Sequence, residues 1–214
     1  MFDTVIVLAS GWSCIKYRLT GLENRGLLIG VNGAALHSKP HIALTMDRLA
    51  AEHCYPIWCG QGHIREIWLR DSILKNFNAR PPKATPVGLP YTYLFHNSPG
   101  DPSYMCPDRL NLNGENSGVC ALNYAYQLEP KRVFLLGFDM QRGPEGQPYW
   151  HGANPWNADG GSHNARLKRW ATHFPDIAQQ FAKRRIEVFN VNHRSLIDAF
   201  PVIDYKKFKE MTHT

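Results

Sequence analysis

The residues of this chain whose types and spacing can do chemistry stand where apolar runs end. Asn116-Ser117-Gly118 opens an apolar helical stretch, residues 119–128, which leads within a few residues into Arg132-Val133-Phe134-Leu135-Leu136-Gly137-Phe138-Asp139. A helix N-terminus and a strand C-terminus then share one edge of a sheet. Free backbone N–H groups and the helix dipole at such an edge favour an anionic ligand, a nucleotide phosphate being the obvious candidate. Ser10-Gly11-Trp12-Ser13, after another apolar run, reads either as a phosphate-cradling turn, with Gly11 admitting close approach and Ser13 donating a hydrogen bond, or as a plain tight turn. It is not a P-loop, because neither G-x-x-x-x-G-K-[ST] nor a full G-x-G-x-x-G is present.

Two further strand ends carry polar groups. Asn32-Gly33 makes a simple turn or offers an amide suited to a base or ribose. Asp47 either binds a ribose hydroxyl or a metal, or caps a helix starting at Arg48. Asp139 closes the most apolar strand, so its carboxylate needs a partner to offset desolvation. Of ten histidines, His151 and His163 are set apart by a stretch that carries them toward the same edge. His163 follows Gly160-Gly161-Ser162 and opens a helix, whose dipole keeps it neutral and able to act as a base; the alternative is a solvated helix-start histidine. Tyr149 and Trp150 are either lid packing or contacts to phosphate and base. No G-x-S-x-G elbow, no cysteine with a recognisable partner and no zinc-ligand spacing accompanies them.

The elements that must position these groups alternate strand and helix. Residues 5–9, 27–31 and 42–45 are continuous apolar runs, the pattern of strands buried on both faces. Residues 48–53 read as helix, 55–58 as a short strand, and 63–69 as helix with Ile64, Ile67 and Trp68 on one face. After the prolines at 81, 82, 86 and 90, residues 91–95 form another strand or an edge segment. Residues 117–128 form a helix stopped by Glu129-Pro130, and residues 132–136 a strand. Residues 163–185 are helix interrupted near Pro175, 186–191 a last parallel strand, and 205–211 a short amphipathic helix. The fold expected is a Rossmann-like, doubly wound α/β domain with a mainly parallel sheet over residues 1–214, and a lid-like insertion at 141–162.

At 214 residues and 43% hydrophobic, the chain can bury one sizeable core. A formal charge of +6 suits an anionic substrate and suits nucleic acid as well, but the Lys and Arg residues are dispersed and form no basic tail. Five cysteines without a C-x-x-C pair fit a reducing compartment, and the expected location is cytoplasmic. The first apolar run lacks a basic leader and is too short to span a bilayer, so no secretion signal and no membrane span are expected.

The order of residues 5–13, then Val31-Asn32, then Ser117-Gly118 with its helix, then Leu136-Gly137-Phe138-Asp139, then Gly161-Ser162-His163, resembles the bacterial CMP-sialic acid sialyltransferases of glycosyltransferase family 42. It is similar also to the related MptE-like 6-hydroxymethylpterin pyrophosphokinases and to phage and bacterial proteins of that superfamily. The resemblance runs from about residue 4 to residue 200. It implies that Ser10, Gly11 and Ser13 hold nucleotide phosphate and ribose. It implies equally that Asn32, Ser117 and Gly118 contact the nucleotide and that His163 is the general base of a metal-independent inverting displacement on a nucleotide-sugar. Two positions depart from that family. Gln141 stands where a phosphate-contacting tyrosine is expected, with Tyr149 matching a second such tyrosine and Arg142 able to compensate; Asp47 replaces an asparagine.

By the same resemblance, the pyrophosphokinase alternative needs carboxylates for Mg²⁺ on ATP, and Asp47 and Asp139 are the acids available. A third possibility is a noncatalytic protein binding nucleotide or nucleic acid through its charge and through Tyr149, Trp150 and Trp156. Glycosyl transfer ranks first.

Overall fold

The computed structural model describes residues 2–76, 90–97, 100–152 and 162–213, with the backbone alone for residues 74–76, 162 and 163. Its centre is an all-parallel sheet of seven strands: β1 (Thr4–Leu8), β2 (Leu27–Val31), β3 (Ile42–Thr45), β4 (Glu66–Arg70), β5 (Tyr91–Phe95), β6 (Arg132–Leu136) and β7 (Glu187–Asn190), in the order β5-β4-β3-β2-β1-β6-β7. The chain lays down β1 to β5 in one direction, then returns to place β6 against the other side of β1.

Side chains alternate across the sheet, and both faces are covered. Val5 and Val7 pack with Val133 and Leu135 beneath α2 (Ser117–Gln127) and α4 (Phe174–Lys183), which contribute Val119, Leu122, Ile177 and Phe181. Ile6 and Leu8 point the other way, onto Phe134, Leu136 and Phe208 of α5 (Tyr205–Met211). Helix α1 (Arg48–Gly60) covers Ala43, Ile67 and Leu69 on that same second face.

The α/β architecture, the parallel sheet, β5 at one edge and β7 as a last parallel strand agree with the sequence reading. Two assignments do not. The expected strand at 55–58 is the second half of α1, which continues through Pro56. Ala51, Cys54, Tyr55 and Trp58 are buried at helical spacing and hold that turn against the sheet, and this packing outweighs the hydrogen bond the proline cannot donate. The expected helix at 63–69 is strand β4. Ile67, Trp68 and Leu69 are all fully buried, and a short apolar run buried on every side carries no period that separates strand from helix.

The interruption near Pro175 is present: α3 (Ser162–Ala171) ends before α4, and Pro175 sits in the first turn of α4, where its missing N–H costs nothing. From the expected lid, residues 141–152 are turns and irregular chain; the rest of it, with Trp156, lies outside the described residues, as do the prolines at 81, 82 and 86. No helix among the described residues is long and apolar enough to cross a membrane.

Candidate functional site

The strand order reverses where β6 lies beside β1, the place where open α/β sheets bind ligands. A cavity of about 360 Å³ lies there. Its walls are the segments after β1 (9–11), β2 (31–32), β3 (46–47) and β6 (137–141), the start of α2 (115–118), Pro148-Tyr149, and Arg166, Leu167 and Trp170 of α3. Ser10, Gly11, Asn32, Asp47, Ser117, Gly118, Asp139 and Tyr149 thus share one cavity, although the chain separates them widely.

The floor is a tight joint between the ends of β1 and β6. Gly11 N donates to Gly137 O at 2.9 Å, and Gly137 has φ +72°, which only glycine adopts freely. Ser13 faces this joint: its amide donates to Asp139 Oδ2 at 2.7 Å and its hydroxyl to Asp139 Oδ1 at 2.6 Å. Asn192 Nδ2 donates to the same Oδ1 at 2.7 Å. Burial raises the Asp139 carboxyl above its ordinary range, and the two Ser13 bonds pull it partly back. Asp139 has the partner its burial demands, and Ser13 spends both donors on it. Asn192 was not singled out in the sequence; its position just past the last parallel strand was the available signal.

The helix ends are similarly tied. Asn116 Oδ1 caps α2 by accepting from Val119 N at 3.0 Å, and Ser117 Oγ accepts from Met46 N at 3.0 Å, binding α2 to the end of β3. Asp47 is the cap of α1, accepting from Ala50 N at 3.2 Å. Two amide atoms at the cavity wall are buried without a hydrogen-bond partner: Asn32 Oδ1 and Asn116 Nδ2. Asn32 and Met140, both lining the cavity, hold left-handed backbone at φ 51° and 53°.

Opposite α2, the segment 148–151 closes on the turn after β1. Trp150 N donates to Ser10 O and Trp150 Nε1 to Ala9 O, each at 3.2 Å. His151 Nε2 lies 3.0 Å from Ser10 Oγ, between the stacked rings of His37 and Tyr149. Burial, helped by His37, pushes the His151 imidazole down to about 4. In the unfolded chain the ring protonates near 6.5, so its contribution to stability is full above that pH and is lost as the pH falls toward about 4. His151→Gln is therefore expected to flatten the acid side of the stability curve between those values; urea unfolding at several pH values that gives parallel curves for the two proteins would contradict this.

His163 lies in the first turn of α3, and its side chain is outside the described residues. Gln141 lines the cavity and donates to the carbonyl of Arg194, while Arg142 is bonded to Asn164 Oδ1 and Gly146 O at 3.2 and 3.0 Å. All five cysteines are free. No family model, curated protein or solved structure matches the chain.

Proposed function

We propose that this protein is a nucleotide-dependent transferase, a glycosyltransferase acting on a CMP-sugar-like donor with His163 as general base. The observation that carries the reading is the cavity at the strand-order reversal, against the start of α2, with the side-chain amides of Asn32 and Asn116 in the residues of its wall. An amide offers both a donor and an acceptor, the two groups a cytosine edge pairs with. The first turn of α2, with Ser117 and Gly118, supplies dipole and amides for the phosphate, and Arg166 on the facing wall adds positive charge. Tyr149 lines the same cavity. Ser13 and Asp139 act as the scaffold beneath Ser10 and Gly11.

The Mg²⁺-ATP alternative draws on Asp47 and Asp139, and both carboxylates are already engaged, one as a helix cap and one by Ser13 and Asn192. This favours glycosyl transfer over pyrophosphoryl transfer.

Calorimetry against CMP, CDP, UDP, GDP and ATP, with and without Mg²⁺, tests the reading. Saturable binding of CMP or CDP, unaffected by EDTA and weakly dependent on salt, is the expected outcome. ATP binding that requires Mg²⁺ would move the protein to the pyrophosphokinase class, and steeply salt-dependent oligonucleotide binding would make it a nucleic-acid binder. His163→Ala is expected to keep nucleotide affinity while lowering turnover about 10²-fold or more; unchanged turnover removes His163 from the mechanism.

A further inference from the structure

Beside the cavity, five side chains form a compact group, of which His151, His37 and Trp150 have no part in the reaction above. His151 is sandwiched between His37, at 4.9 Å and 19° between rings, and Tyr149, at 5.6 Å and 2°, with the edge of Trp150 against it. Its one polar contact to another residue's side chain among those described is Ser10 Oγ at 3.0 Å, and Ser10 lines the cavity while His151 stands behind it. The stacking fixes the ring plane, and the Trp150 bonds to Ala9 and Ser10 fix the segment that carries it. A ring held this firmly, with one edge on a cavity hydroxyl, controls what that hydroxyl offers a ligand.

We infer that His151 is a positioning residue for Ser10, setting whether that hydroxyl accepts from or donates to a ligand, and that it takes up a proton when an anionic nucleotide binds. At neutral pH the imidazole is neutral. In the tautomer this role requires, Nδ1 carries the proton and Nε2, 3.0 Å from Ser10 Oγ, accepts the Ser10 O–H. Ser10 then shows only lone pairs to the cavity. When a phosphate enters, a proton from solvent adds to Nε2, which becomes a donor to Ser10 Oγ; the Ser10 O–H turns from the ring to a phosphate oxygen. One proton is gained by the complex, and the new positive charge lies behind the hydroxyl that holds the anion. Among the described residues, the titratable groups that face His151 are His37, from the segment after β2, whose charge opposes the protonation, and Tyr149. Before the ligand arrives, burial and His37 keep the ring neutral; the phosphate's negative charge is what reverses that balance.

The inference rests on the cavity being a nucleotide site, and the test separates the two. CMP methyl ester is the probe, because its phosphodiester keeps a single charge across the working range and contributes no proton of its own. Calorimetric titration at pH 5.5 in two buffers of different protonation enthalpy should show uptake of roughly half a proton per bound nucleotide by the wild type. His151→Gln, whose amide can still donate to Ser10, should bind with no uptake, and its affinity should no longer improve as the pH falls. Ser10→Ala should bind with uptake below about a tenth of a proton, and His37→Asn should retain the uptake. Binding by the wild type without proton uptake, equal uptake by wild type and His151→Gln, or loss of uptake in His37→Asn overturns the role of His151 and leaves the nucleotide site standing. Absence of any binding to the wild type overturns the nucleotide site and this role with it.

Discussion

Gly11→Ala is expected to lower stability by about 2–4 kcal/mol and to abolish measurable nucleotide binding. A β-carbon at this position would lie 2.3 Å from the Gly137 carbonyl oxygen and 2.4 Å from Asp139 Oδ1. Neither neighbour can withdraw. The Gly137 carbonyl accepts the Gly11 N–H, and Asp139 is held by Ser13 and Asn192. The backbone of Gly11 itself is ordinary, at φ −58° and ψ 144°, so the glycine is required by the closeness of β1 to β6 and not by its own dihedrals. Relief can come only by separating the two turns, which breaks the joint and displaces Ser10 and Gln141 from opposite sides of the cavity. For a chain of this size the loss corresponds to a fall of roughly 5–15 °C in Tm. Gly60→Ala is the control, because a β-carbon there meets nothing within 4 Å and the residue ends α1; its Tm should stay within about 3 °C of wild type. A Gly11→Ala protein with wild-type Tm would show that the joint is not tight.

How far this site could be read from the sequence depends on how local each determinant is. Strands β2 and β3 are bounded in the sequence where the structure bounds them, because a both-faces-buried strand closed by small polar residues is a local pattern. Asp47 as a helix cap and Asp139 as a carboxylate needing a partner were also legible, since each follows from one residue at the end of one run. The identity of the Asp139 partners was not. Ser13 is 126 positions away and Asn192 is 53, and the amphipathic signals that betray elements say nothing of which turn meets which. The same holds for His151 and Ser10, 141 positions apart, whose contact exists only because the 148–151 segment folds back over β1. The misread region, residues 55–69, failed for two local reasons: Pro56 in a short apolar run hides the second half of α1, and Ile67, Trp68 and Leu69 are buried together, so that both periods fit β4.

Asp139→Ala is expected to be the most destabilising substitution at the site, by about 3–5 kcal/mol, because it leaves the Ser13 amide, the Ser13 hydroxyl and the Asn192 amide as buried donors with no acceptor. Asp139→Asn should cost less yet still destabilise, since in either orientation its NH₂ group faces a donor. The pH dependence separates the carboxylate's charge from its shape. Burial raises the folded-state pKa of Asp139 above the ordinary value of 3.8, so as the pH rises past that value the unfolded chain loses its proton first. The wild type therefore holds this contribution in full below the ordinary value and loses it as the pH climbs through the raised one. Asp139→Asn cannot titrate and holds a constant contribution. The difference in unfolding free energy, wild type minus Asp139→Asn, should accordingly decline from about pH 4 upward and then level off. A difference that rises with pH over the same interval would mean that the hydrogen bonds from Ser13 and Asn192 outweigh desolvation, and that Asp139 stands at the joint between β1 and β6 as a fixed anion facing whatever charge the nucleotide brings.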